Sequence, residues 1–241
     1  MNPTERFARL VRGRDTTIPL TEAALLIAAH DHDVDEDEQL GRLEQLAADA
    51  PDDIEPLARY LFVERGFAGN EHDYADPANS FLDVVLRRRL GIPITLSLVL
   101  LDVGARRGLT LHGVGMPGHF LVGIGDDGFI DPFHRGAVLD RAGCRARFER
   151  LMPDTPWREA YLRPVGPRAI LVRMLSNLVH TYVDRSPADA VWALRLRLTV
   201  PGVAPSERRD AAALDEVADE LDAGSAAQAR EDATRLRARA N

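Results

Sequence analysis

Lysine is absent from all 241 residues, so every long basic side chain is an arginine, and the arginines run along the whole chain without forming a patch. With a formal net charge of −8, that spread leaves no basic face to release counterions from a phosphate backbone, so no nucleic-acid partner is expected. Cysteine occurs once, as Cys144, which excludes an internal disulfide framework and any multi-cysteine zinc site. There is no run of about 18 apolar residues, so no membrane span is expected. The opening Met1-Asn2-Pro3-Thr4-Glu5-Arg6 lacks the basic-then-apolar layout of a secretion signal, which makes the cytoplasm the expected compartment. What is present, 45% apolar and 28% charged residues, suits a globular protein with one large domain or a domain and an appendage.

Residues 1–20 read as irregular, with Phe7, Leu10 and Val11 able to dock one helical turn. A compact apolar helix follows over 21–29. The acidic run from Asp31 to Glu38 opens like a calcium loop, with Asp31, Asp33 and Asp35 at alternate positions. Its sixth position is Glu36 where such a loop needs Gly, and its twelfth is Arg42 where it needs a bidentate Glu. An acidic entry to a helix, complementing the positive end of its dipole, is the better reading. That helix runs over 36–48, with Leu40, Leu43, Leu46 and Ala47 at helical spacing, and another over 54–65 is closed by Gly66.

The stretch Asn79–Phe133 is the most informative. Asn79 or Ser80 caps a helix over 81–90 whose last turn holds Arg87, Arg88 and Arg89, where cations favour the dipole. Gly91 stops it, and Pro93 starts the next helix where its missing N–H costs nothing. From Ile94 to Val103 only Thr95, Ser97 and Asp102 are polar, which marks a helix buried on most faces and central to its domain. Residues 109–115 are strand-like, and Met116-Pro117-Gly118 is a tight turn with Pro and Gly in the favoured middle positions. Two more short strands over 119–124 and 129–133 carry His119 and Asp131.

A helix over 144–151 follows, then a linker marked by Pro153, Pro156, Pro164 and Pro167. Four helical segments close the chain, at about 168–184, 187–199, 206–221 and 225–239. The pattern Ser176…Ala190 recurs as Ala212…Ala229 at a spacing of about 36 residues, close to the roughly 34-residue period of helix–turn–helix repeats. The expected class is α+β, with an α+β domain over 1–165 and a helical tail over 166–241.

His119 and Asp131 have the chemistry of a base and its orienter. They are direct cross-strand neighbours, about 5 Å apart, only if the hairpin centres on Gly125. A tighter turn separates them, leaving a histidine at a sheet edge and an aspartate in an Asx-turn before Pro132. The types His119, Asp131 and His134 also suit zinc or iron, but their spacing matches no recognised metal motif. No metal and no cofactor is expected. Cys144, in a helix, reads more naturally as a buried core residue than as a nucleophile.

Four segments in this order resemble the transglutaminase-like superfamily, and more closely its bacterial SirB-type branch, whose domain also occurs in an F-box protein. They are Asp76-Pro77-Ala78-Asn79-Ser80-Phe81-Leu82, Arg88-Arg89-Leu90-Gly91-Ile92-Pro93-Ile94-Thr95-Leu96-Ser97, Gly113-Val114-Gly115-Met116-Pro117-Gly118-His119-Phe120-Leu121 and Phe129-Ile130-Asp131-Pro132-Phe133. The likeness covers about residues 20–150, and branch members often end in tetratricopeptide-like helices, as the tail here suggests. It implies a papain-like α+β fold in which His119 and Asp131 match the catalytic His and Asp.

Active members carry a cysteine at the start of the central helix, and here that place falls among Pro93, Ile94 and Thr95. The helix dipole and a nearby imidazolium bring a thiol toward neutral pKa. A hydroxyl gains far too little from the same field and needs an aligned base. The expected protein is therefore a pseudoenzyme that has lost thiol chemistry and binds a protein or peptide, with Asn79, Pro93, Gly118 and Phe120 facing the partner. The alternative is a hydrolase or amide-processing enzyme using Thr95 or Ser97 with His119 and Asp131, and a metal-dependent variant comes third.

Overall fold

A computed structural model describes residues 2–183, 185–202 and 223–239, with positions 212, 215 and 218 between the last two spans. The chain divides into two compact units, residues 1–34 with 167–241, and residues 35–166.

The N-terminus is not irregular. Helix α1 (Pro3–Val11) has Asn2 as its cap, accepting from the Glu5 N–H at 2.8 Å, and Pro3 in its first turn. Both are standard start signals, and the helix buries Phe7 and Val11. Helix α2 (Leu20–Ala28) is buried continuously from Ala23 to Ala28. A helix apolar on every side needs neighbours on every side, and this one packs on α1 and on α8 (Pro167–Val183). The Arg168 N–H donates to Asp15 Oδ1 at 2.8 Å and its Nε donates to the Val11 carbonyl at 2.9 Å. These bonds fix the first 34 residues to the C-terminal helices, so a single division at 165/166 does not describe the packing. Helix α8 pairs with α9 (Pro187–Leu198), and α10 (Ala223–Arg239) packs on α9. The expected segment 206–221, the first helix of the second repeat unit, lies outside the described residues apart from positions 212, 215 and 218.

The unit 35–166 is mixed α and β. Asp35 caps α3 (Glu36–Ala48) by accepting from the Glu38 N–H at 3.0 Å, so the acidic run is a helix entry. Helix α4 (Ile54–Arg59) continues into a π-turn over Tyr60–Glu64. Strands β1 (Ala68–Gly69) and β2 (Leu90–Gly91) form a parallel pair flanking α5 (Leu82–Arg88). Helix α6 (Pro93–Arg106) is the central one, buried from Pro93 through Leu100 and packed on α3, α4, α5 and the sheet.

That sheet is antiparallel, in the order β6 (Ala137–Leu139), β5 (Gly128–Asp131), β4 (Leu121–Ile124), β3 (Leu111–Val114), β7 (Pro164–Val165). Helix α7 (Arg141–Leu151) packs on β5 and β6. Strands β6 and β7 were not expected from the sequence, being too short to show alternation. In the β4–β5 hairpin Val122 faces Ile130 and Ile124 faces Gly128, so it centres on Asp126 and not on Gly125. Extending that register puts Asp131 opposite Leu121, with His119 one diagonal step beyond.

Candidate functional site

The start of α6, where a thiol would stand, is closed by its own hydrogen bonds. Thr95 Oγ1 donates to the Asn79 carbonyl at 2.7 Å, with the Ile92 carbonyl as a second acceptor at 3.1 Å, and it accepts from the Ile92 N–H at 3.2 Å. Thr95 is fully buried, and so is Ser97. The Ser97 hydroxyl donates to the Pro93 carbonyl four residues back, at 2.8 Å, the usual internal bond of a helical serine. Both candidate hydroxyls thus serve the backbone, and neither is bonded to the His119 ring.

His119 reaches Asp131 although the two are not direct cross-strand partners. The Met116 carbonyl accepts from the His119 N–H at 3.0 Å across Pro117-Gly118, with Gly118 at φ +74°. This is the geometry of a type II turn, in which glycine supplies the positive φ. The turn delivers His119 one diagonal step from Asp131, on the same face, a separation that a long side chain can span. His119 Nε2 meets Asp131 Oδ1 at 2.9 Å, with the imidazole 4% exposed and the carboxylate fully buried.

Asp131 gathers two further partners. The chain turns immediately after it, with Arg135 at φ +56° and Gly136 at φ +71°, and the Gly136 N–H donates to the Asp131 carbonyl at 2.9 Å. This turn brings the His134 N–H to Asp131 Oδ1 at 3.2 Å and His134 Nδ1 to Oδ2 at 2.9 Å. From α7, Arg147 Nη2 lies 3.5 Å from Oδ2, while Nη1 donates to His134 Nε2 at 2.7 Å. The expected alternative roles of Asp131, orienter and turn-former, coexist in one carboxylate.

Donor and acceptor rules assign the protons. A carboxylate only accepts and a guanidinium only donates. His134 therefore carries its proton on Nδ1, is neutral, and accepts on Nε2. His119 donates from Nε2, so its Nδ1 is the nitrogen left over, and among the described residues no side chain bonds it. Burial acts to raise the Asp131 carboxyl, but the His119 hydrogen bond and the electrostatic attraction of the His119, His134 and Arg147 donors outweigh it and hold the group below its ordinary value. His134 is lowered, first by burial.

The three possible ligand atoms of His119, Asp131 and His134 lie within 4.8 Å of one another. A cation among them would have to displace the Arg147 guanidinium, which already occupies His134 Nε2 and approaches Asp131 Oδ2. The donor set fits a guanidinium better than a metal.

Cys144 is no substitute nucleophile. It sits in an apolar cluster with Val114, Met116, Leu121, Phe129, Phe148 and Leu162, and burial pushes its thiol up to about 12.

Of the residues expected to face a partner, Asn79, Pro93 and Phe120 are buried and Gly118 alone is exposed. Asn79 is a brace: its Nδ2 donates to the Asp73 and Tyr74 carbonyls at 2.7 and 3.3 Å, and its Oδ1 accepts from Asn70 Nδ2 at 3.0 Å. The accessible surface lies beside it. A cavity of about 580 Å³ is lined by residues 68–72, Leu90, Phe133, His134 and Arg135, joining the β1–β2 pair to the turn after Asp131. The sequence signal for His134 was the three-residue step from Asp131 across Pro132. Arg147 had no such signal, since it meets the site only through the docking of α7.

Residues 24–176 match the model of the transglutaminase-like superfamily, and the chain belongs to that superfamily. It is 37% identical over 216 residues to a UPF0162 protein of Xylella fastidiosa, covering 81% of this chain and 76% of that one. A UPF0162 protein of Pseudomonas aeruginosa is 33% identical over 142 residues, 58% of this chain and 52% of the other. Mouse F-box only protein 21 is 33% identical over 137 residues, 52% of this chain and 21% of its own length. No solved structure matches the chain.

Proposed function

We propose that this protein is a non-catalytic, SirB-type member of its superfamily that binds a protein or peptide segment in the groove between the β1–β2 pair and the turn 132–136. The observation that carries this reading is the Thr95 hydroxyl, donated to the Asn79 carbonyl at the place where a nucleophile would stand. Ser97 turned back on Pro93 and Cys144 in the apolar core support the same reading, since among the described residues neither hydroxyl nor thiol is hydrogen-bonded to His119. The same bonds weigh against the alternative, a hydrolase acting through Thr95 or Ser97.

Exposed apolar side chains near the groove favour a macromolecular partner. Tyr74, 52% exposed, sets its ring edge-on to Phe133 at 5.7 Å. Val63 and Val138, elsewhere on the same unit, are also more than half exposed. The helical hairpin α8–α9 supports a tetratricopeptide-like tail as a second recruiting surface, and a cytoplasmic location goes with this reading.

Selection of displayed peptides on the whole immobilised protein tests it. Selected peptides should lose at least tenfold in affinity to Leu90→Arg and Arg135→Glu, and keep it for His119→Gln. Peptides indifferent to both groove variants would overturn the assignment of the groove.

A further inference from the structure

We infer that His134 is a proton-operated latch: neutral, it bridges Asp131 and Arg147 and holds the turn 132–136 as a groove wall; protonated, it releases that wall. The inference rests on the groove reading only for its consequence, since the latch itself is a property of the unliganded protein.

The bridge has three members in a fixed donor order. The guanidinium donates to His134 Nε2 at 2.7 Å, and His134 Nδ1 donates to the fully buried Asp131 carboxylate at 2.9 Å. A proton added at Nε2 would point at a group that can only donate. It would also set two positive charges against each other at that distance. The Arg147 bond must then open, whereas the Asp131 bond gains strength from the charge.

Three features make this a device and not merely a buried pair. His134 is 35% exposed, so a proton can reach it. It lines the groove itself, between Phe133 and Arg135. Its neighbour Arg135 is held at φ +56°, in the left-handed region, a conformation that costs a non-glycine residue energy and persists only while its surroundings enforce it. Once Arg147 lets go of Nε2, the strained turn keeps its bonds to Asp131 but loses its direct hydrogen bond to α7.

The charged and titratable groups around His134 are Asp131 from β5, Arg147 from α7, His119 with its ring centroid 5.6 Å away, the adjacent Arg135, and Glu71 and His72 across the groove. Asp131 already holds two donors besides His134, so it is not free to offset a new charge alone.

Nitrogen-15 NMR of the imidazole rings in the whole protein reads the latch directly. At pH 7.5 the His134 Nε2 signal should be that of an unprotonated nitrogen. On acidification it should gain its proton below the ordinary histidine midpoint, and the Arg135, Gly136 and His72 amides should shift with that same midpoint. Arg147→Met should move the midpoint upward and uncouple those amides. The wild-type spectrum stands by itself if that variant fails to fold. A protonated Nε2 at pH 7.5, or groove amides that ignore the His134 titration, would overturn the inference. Either result leaves the peptide-selection test of the groove unaffected.

Discussion

The hydroxyl of Thr95 donates to the Asn79 carbonyl 2.7 Å away while accepting the Ile92 N–H at 3.2 Å. One side chain thereby ties the first turn of α6 to the segment that precedes α5, and the bond that stabilises the fold is the bond that disables the hydroxyl. Thr95→Val keeps the shape and leaves the Asn79 carbonyl and the Ile92 N–H only their long mutual bond of 3.4 Å. We predict a loss of about 1–3 kcal/mol in stability, measured by urea unfolding, with no change in any activity on esters or amides.

Asp131→Ala should be the more damaging change. It leaves His119, His134 and the Arg147 guanidinium, of which the first is nearly fully buried, around a vacated acceptor. Breaking such a buried charged network costs about 3–5 kcal/mol. Chemical denaturation checks this, and Asp131→Asn should recover only part of the loss, because an amide offers a single acceptor oxygen where the carboxylate offers two.

Stability should fall on acidification in two stages. His134, His30 and His112 are all lowered in the folded protein, each mainly by burial. The unfolded chain therefore takes up protons first as the pH drops below the ordinary histidine value of about 6.5, and stability declines from there. Asp131 is lowered as well, so its contribution is present above the ordinary carboxylate range and is lost as the pH falls through its depressed folded value. Urea midpoints at pH 8, 6 and 4 should decrease in that order, and a midpoint rising from pH 8 to pH 6 would contradict the assignment.

Cys144 should be inert in the native state. Burial raises its thiol to about 12, so very little thiolate exists near neutrality, and the surrounding cluster bars reagents. Reaction with a colorimetric disulfide should be at least a hundredfold slower in buffer than in denaturant. Comparable rates would place the thiol at the surface.

The central helix was legible because its composition changes sharply: Pro93 and a nearly unbroken apolar run demand burial whatever the surroundings. His119 and Asp131 were legible as a pair only through a hairpin centred on Gly125, whereas the register centres on Asp126 and the two side chains meet diagonally. Other features depend on contacts between distant segments. Arg147 joins the site once α7 docks on β5 and β6, and α1 joins the C-terminal helices through α2 and Arg168. The buried roles of Asn79 and Phe120 were hidden for the same reason, because a polar or aromatic residue in a motif looks alike whether it braces the fold or faces a partner.

Gly69→Ala should separate groove shape from groove charge. A Cβ there would lie 2.5 Å from the Phe133 ring, so the ring must shift and the cavity both residues line changes shape. The expected cost is about 1–3 kcal/mol of overpacking, visible in thermal unfolding, together with weaker binding of any peptide selected on the wild type.

The central question is whether His119 has a nucleophile to serve. Turnover of a glutamine-containing protein with a fluorescent amine, and of activated ester and anilide substrates, measured for the wild type, His119→Gln and Thr95→Val, tests this directly. Equal, background rates are expected for all three proteins, with no burst of covalent intermediate. Turnover by the wild type that either substitution abolishes would contradict the non-catalytic reading.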